Sequence, residues 1–152
     1  MRPRRIYLPL THDQLRSLAA DRVLAAPVLG LAPTLSRTDS RTAAAAAEEE
    51  AEFAAFSAAA ERAGGAGRRV IAAADVPPGS LEQRAGGGDR AGDLGDGVLE
   101  VRTTADLPVR LIVSLHIDEA TAETENASGA APDLLWYDIT ELDAVIEELG
   151  LS

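Results

Sequence analysis

A single α+β domain spanning residues 1–152, with a mixed sheet of about five strands packed by an alanine-rich helix and a C-terminal helix, is the fold this sequence predicts. Three observations carry that expectation. The run Val70-Ile71-Ala72-Ala73-Ala74 is bounded by Arg68-Arg69 and by Asp75-Val76-Pro77-Pro78-Gly79. A short apolar stretch with β-branched residues at its start and turn residues at its end fits a central strand covered on both faces, and its alanines let the covering helices approach closely. Residues 41–63 are rich in alanine and end at Gly64-Gly65-Ala66-Gly67, which reads as a long helix with a C-terminal stop. Asp138, with Glu141 three residues on, caps a stripe of Ile139, Leu142, Val145 or Ile146, and Leu149. A chain of 152 residues suits one core.

The other elements follow in order. Arg5-Ile6-Tyr7-Leu8-Pro9-Leu10 reads as a first strand, and Thr11 with Gln14 as a capping box opening a helix through about Leu24 on the stripe Leu15, Leu18, Ala19, Val23. His12 falls in its first turn, an exposed position. Pro27, Gly30 and Pro33 interrupt residues 25–35 and leave room for only a short strand near 28–31. In the long helix, Phe53, Phe56 and Ala60 share one face, expected to dock on the sheet, while Glu48, Glu49, Glu50 and Glu52 form a solvated face. Residues 77–97, with their prolines, glycines and aspartates, read as a flexible Gly/Asp-rich loop. It runs into the alternating strand 98–103 rather than a helix N-terminus, so it lacks the setting of a phosphate-binding loop. The connection 103–108 is too short for a crossover helix, which predicts that strand 111–118 pairs antiparallel with 98–103. On that strand Leu111, Val113, Leu115 and Ile117 would face the core, with Ile112, Ser114, His116 and Asp118 opposite. Leu134-Leu135-Trp136-Tyr137 is the last strand.

Composition narrows the chemistry. The net charge is −11, and the acids concentrate late: positions 118–148 hold ten carboxylates and no basic residue. Nucleic acid needs a basic stripe and an anionic membrane a polybasic segment, so neither is an expected partner. The small cluster Arg2, Arg4 and Arg5 reads as a solvated terminus. With no cysteine, there are no disulfides, thiolate nucleophiles or iron–sulfur clusters. All 14 basic residues are arginine. Without lysine there is no Walker-type phosphate loop, kinase-like nucleotide site or Schiff base. No stretch resembles a signal peptide or membrane span, which makes the chain an expected cytoplasmic protein.

Two functional readings follow from the residues. Trp136 and Tyr137 occupy opposite faces of one strand, so one ring can enter the core while the other stands as an interface anchor, with a basic protein surface attracted by the acidic C-terminal half. This non-enzymatic interaction or regulatory module is the preferred reading, with no cofactor and no catalytic residues. The alternative is a small metal-dependent or general-base enzyme centred on His116 and Asp118, two residues apart on one strand face beside Ser114. Asp75 would join them as a third metal or proton-handling candidate.

Four segments together resemble a known family: Arg5-Ile6-Tyr7-Leu8-Pro9, Ala47-Glu48-Glu49-Glu50-Ala51-Glu52-Phe53-Ala54-Ala55, Arg68-Arg69-Val70-Ile71-Ala72-Ala73-Ala74-Asp75-Val76-Pro77, and Leu134-Leu135-Trp136-Tyr137-Asp138. In this order, with Leu115-His116-Ile117-Asp118 also fitting, they are similar to a family of short acidic actinobacterial proteins catalogued as a domain of unknown function. The glycine loop before Val98 is longer than in that pattern, and the acidic segment after Asp118 shorter and less helical. The resemblance implies a cytoplasmic bacterial domain and no assigned activity.

Overall fold

The computed structural model describes residues 3–33, 41–63, 68–83, 98–118 and 135–151; the side chains of 41–51 are outside this description. The central strand β4 (Val70–Val76) is buried as its composition predicts. It pairs with β1 (Arg4–Leu10) on one side and β8 (Ile112–Ile117) on the other. β3 (Leu29–Pro33) flanks β1, β6 (Val98–Thr103) flanks β3, and β5 (Leu81–Gln83) closes that edge. β9 (Leu135–Asp138) forms the opposite edge, against β8. The result is a seven-stranded sheet in the order β5-β6-β3-β1-β4-β8-β9, antiparallel at every neighbouring pair. The expected five-stranded mixed sheet is thus corrected in both number and direction. The short strand expected near 28–31 is β3, and the strand not expected is β5, which with a short 3-10 turn at Pro78–Ser80 orders the first part of the expected 77–97 loop. Residues 84–97 lie outside the described part.

Each face has its own cover. Tyr7, Leu31, Ile71, Ala73 and Val98 face α2 (Arg41–Arg62), which contributes Ala55, Ala58, Ala59 and Ala60. Phe53 does not dock: it is 61% exposed, and Phe56 packs only at the margin. The helix contacts the sheet through its alanines because small side chains permit the closest approach, turning Phe53 outward. On the other face lie Ile6, Leu8, Val70, Ala72, Ala74, Leu115 and Ile117, under Leu15 and Leu18 of α1 (His12–Asp21) and Leu142 and Val145 of α3 (Leu142–Glu148). The Thr11–Gln14 capping box is formed, but α1 ends at Arg22 in the left-handed region. Val23–Leu24 instead makes β2, pairing with β7 (Leu107–Pro108). Gly30 is closely packed: a Cβ there would stand 3.0 Å from Leu8 Cδ2 and 3.1 Å from Ile6 Cδ1, so those side-chain ends would have to give by a few tenths of an ångström.

The pairing of β8 with β6 does not occur. Both strands run in the same direction, four positions apart, and residues 104–111 cross diagonally over the α1/α3 face to join them. Neighbouring strands lie about 4.8 Å apart, so the crossing covers roughly 20–25 Å, within the ~30 Å reach of nine extended links. Leu107 is buried in that core. The crossing is pinned by Ala26 N–H donating to Asp106 Oδ1 (2.8 Å) and Val109 N–H to the Arg22 carbonyl (2.9 Å).

Candidate functional site

The strand β8 carries the two residues around which a site was expected. Its register against β4 shifts between Ala73 and Ala74, where Ser114 faces Ala73 but Ile112 faces Ala74. This bulge at Val113 places Ile112 in the same core as Leu115 and Ile117, contrary to simple alternation. Beyond the bulge the alternation holds. Ser114 and His116 lie on the α2 face, together with Tyr7 and Ala73, and His116 stands opposite Trp136 on β9.

His116 belongs to an aromatic and polar group. Its ring meets that of Phe56 edge-on at 5.0 Å, and Phe56 meets Tyr7 edge-on at 5.8 Å. Ser114 Oγ lies 3.1 Å from His116 Nε2. Burial holds the imidazole pKa below its ordinary 6.5, and the Arg5 charge adds to the depression. His116 is therefore neutral at neutral pH. Burial likewise raises the Tyr7 phenol, with Glu52 adding to the rise.

The three residues expected to gather do not converge. Asp118 is buried and accepts three hydrogen bonds from Arg69: from the backbone N–H (2.8 Å), from Nε (2.9 Å) and from Nη2 (2.9 Å). The side-chain bonds to the Asp118 carboxylate, and its charge, raise the Arg69 pKa above its usual value. Asp75 takes Arg5 in a half-exposed fork, with Nε–Oδ1 at 2.5 Å and Nη2–Oδ2 at 3.1 Å. β4 and β8 are neighbours, but Ile71 is the residue facing His116, four residues from Asp75. That is a separation of about 13 Å along the strand. Among the described residues no three His, Cys, Asp or Glu side chains stand together as a metal-binding group.

Of the arginines expected at a solvated terminus, Arg4 and Arg5 prove structural and Arg2 lies outside the described residues; Arg68, beside the central strand, is structural as well. Arg4 Nη2 donates to the Pro33 carbonyl (2.8 Å). Arg68 donates through Nε to the Asp118 carbonyl (2.8 Å) and through Nη1 and Nη2 to Glu148 (3.1 Å each), fastening the end of β8 to the last turn of α3. His12 is half-buried, with Nε2 donating to the Arg68 carbonyl at 2.9 Å.

At the sheet edge, β9 divides its two rings. Tyr137 packs against the α1/α3 core, whereas Trp136 is 61% exposed on the α2 face. With Phe53 it is one of the two exposed large hydrophobic side chains among the described residues. Asp138 begins the following turn: its carboxylate accepts from Thr140 Oγ1 (2.7 Å) and N–H (3.0 Å), which hold its pKa below the usual value, while Glu141 Oε2 accepts from the Asp138 N–H (2.9 Å). Trp136 is thereby carried on a strand fixed at its C-terminal end by a capping box. No helix among the described residues is long and apolar enough to cross a membrane.

Comparison with known proteins gives one match. A family model described as "Family of unknown function (DUF6912)" matches residues 4–146. No curated protein and no solved structure matches the chain.

Proposed function

Since the chain belongs to the family of unknown function DUF6912, which brings no chemistry with it, we propose a function from the geometry: a non-enzymatic protein-interaction module that docks a partner protein through Trp136. One observation carries this reading, a tryptophan 61% exposed at the edge of a sheet whose other large side chains are mostly sequestered. Tryptophan is favoured at the energetic centre of interfaces because a rigid ring covers much area at small entropic cost. The fixed strand beneath it supports the same view, since a preorganised anchor loses little freedom on binding. A bacterial cytoplasmic setting belongs to this proposal.

The test compares proteins captured from a source-organism lysate by the wild-type chain, by Trp136→Ala and by Phe53→Ala. The reading expects a partner retained by the Phe53 variant and lost with Trp136→Ala. The same captured set with all three chains would sink it.

One observation favours a second reading, general-base chemistry: the neutral His116 imidazole lies 3.1 Å from the Ser114 hydroxyl, within reach for activating a nucleophile. Asp118 has no part in it, being taken by Arg69. Labelling of Ser114 by a fluorophosphonate, abolished in His116→Gln, is the expected result on that reading. An unlabelled wild-type chain would refute it.

A further inference from the structure

The backbone of β9 carries information that the side chains do not. Along a strand in an antiparallel ladder, the N–H and C=O of one residue point to one side and those of the next residue to the other. Asp118 N–H donates to the Arg69 carbonyl at 3.2 Å, so Asp118 faces the β4 side. By alternation Ser114 and His116 also face β4, while Leu115 and Ile117 face β9. The partners of Leu115 and Ile117 are Tyr137 and Leu135. Those two residues turn their hydrogen-bonding groups inward, and Trp136 turns its own outward. The other end of β9 agrees: the Asp138 N–H, in phase with that of Trp136, is taken by Glu141 rather than by β8. Among the described residues nothing pairs with the outer side of β9. Trp136 therefore presents an outward N–H, an outward C=O and an exposed ring at one point of the sheet edge.

Resting on the reading of Trp136 as a docking residue, we propose that the partner is a basic extended segment of another protein, which adds an antiparallel strand to the outer edge of β9, unpaired among the described residues. Strand addition takes its affinity from main-chain hydrogen bonds and its specificity from alternate side chains. The partner residue opposite Trp136 exchanges both outward bonds with it and lays its side chain beside the indole on the α2 face. Arginine suits that place, because its guanidinium stacks on an indole face and is attracted by its quadrupole. The flanking partner residues fall on the other face beside Leu135 and Tyr137, where apolar side chains fit. The segment therefore alternates basic and apolar residues. Charge selects this occupant over a second copy of the chain: the net charge is −11, and positions 118–148 hold ten carboxylates and no basic residue. Two such chains repel, whereas a cationic segment is steered in.

The probe is the acetylated, amidated hexapeptide (Arg-Val)3, titrated into the full chain and followed by fluorescence of Trp136, the only tryptophan, and by calorimetry. Saturable binding is expected, weakening as salt is raised, with (Glu-Val)3 inert. N-methylation of the arginine amides should abolish binding, because those N–H groups face β9, while N-methylation of the valine amides, which face away, should leave it within about threefold. Trp136→Ala should weaken binding by about tenfold or more. No binding of (Arg-Val)3 overturns the basic occupant. Equal tolerance of both methylations overturns strand addition and leaves Trp136 standing as an anchor. Unchanged affinity in Trp136→Ala overturns the docking reading itself. A dimer in sedimentation that Trp136→Ala dissociates would make a second copy the occupant and overturn the proposal.

Discussion

Replacing Asp118 by alanine tests whether this carboxylate holds the sheet or is available for chemistry. In the native fold it sits 5% exposed and accepts three hydrogen bonds from Arg69, two from the guanidinium and one from the backbone. Truncation leaves the backbone N–H and the guanidinium without these acceptors, and the Arg69 side chain is only 15% exposed. Removing one partner of a buried, multiply bonded ion pair costs about 3–5 kcal/mol, most of it the penalty of the charge left behind. A domain of this size loses about 2–4 °C of melting temperature per kcal/mol. Asp118→Ala should therefore melt about 6–20 °C below wild type in a calorimetric or circular-dichroism scan. Asp118→Asn keeps an acceptor oxygen and should fall between the two. The double variant Asp118→Leu, Arg69→Met, which removes both charges, should recover part of the loss. An Asp118→Ala melt within about 2 °C of wild type would refute the reasoning. It would mean that the carboxylate is not committed to Arg69, and would return it to the neighbourhood of His116 as a candidate acid or ligand.

Other perturbations probe other parts of the fold. His116 has a folded pKa below 6.5, so the unfolded chain binds more protons in that range, and stability should fall as pH drops from 6.5 through the lower folded value. His116→Gln should flatten that limb of a melting-temperature profile, and a limb unchanged in the variant would assign it to other groups. Gly30→Ala should destabilise by about 1–3 kcal/mol in urea unfolding, because the fully buried Leu8 and Ile6 side chains would have to shift by a few tenths of an ångström to admit a Cβ; a neutral result would show that they repack. Asp75→Ala should cost no more than about 1 kcal/mol, since both partners of its ion pair are more than a third exposed. A much larger loss would show that the fork is better shielded than its exposure indicates.

What could be read from the residues, and what could not, divides along local and long-range lines. The central strand, both capping boxes and the split of Trp136 from Tyr137 depend on neighbours within about four positions, and each appears where the pattern places it. On α2, Ala60 and Phe56 pack toward the sheet as expected but Phe53 turns outward, although periodicity alone ranks Phe53 above Ala55 and Ala59. The winning term was the approach of a helix to a sheet already filled by Leu31, Ile71 and Tyr7, which favours methyl groups over rings.

Two errors at the site share one origin, the behaviour of β8. A connection of a few residues ordinarily turns back on itself, yet residues 104–111 cross the sheet because β2 offers β7 a partner on the way and Leu107 a buried place. Nothing in the spacing of those residues encodes the existence of β2. Once β8 lies between β4 and β9, its register is fixed at the far end by the Arg69–Asp118 fork and at the near end by the burial of Ile112. Both cannot be met by strict alternation, and the bulge at Val113 absorbs the extra residue. The same fork that anchors the register removes Asp118 from His116 and sets the phase of the whole edge. Because Asp118 N–H turns toward β4, Trp136 must turn its backbone outward. The carboxylate that looked like half of a catalytic pair is thus better understood as part of the Arg69 contact that sets which residues of β9 turn their backbone away from β8.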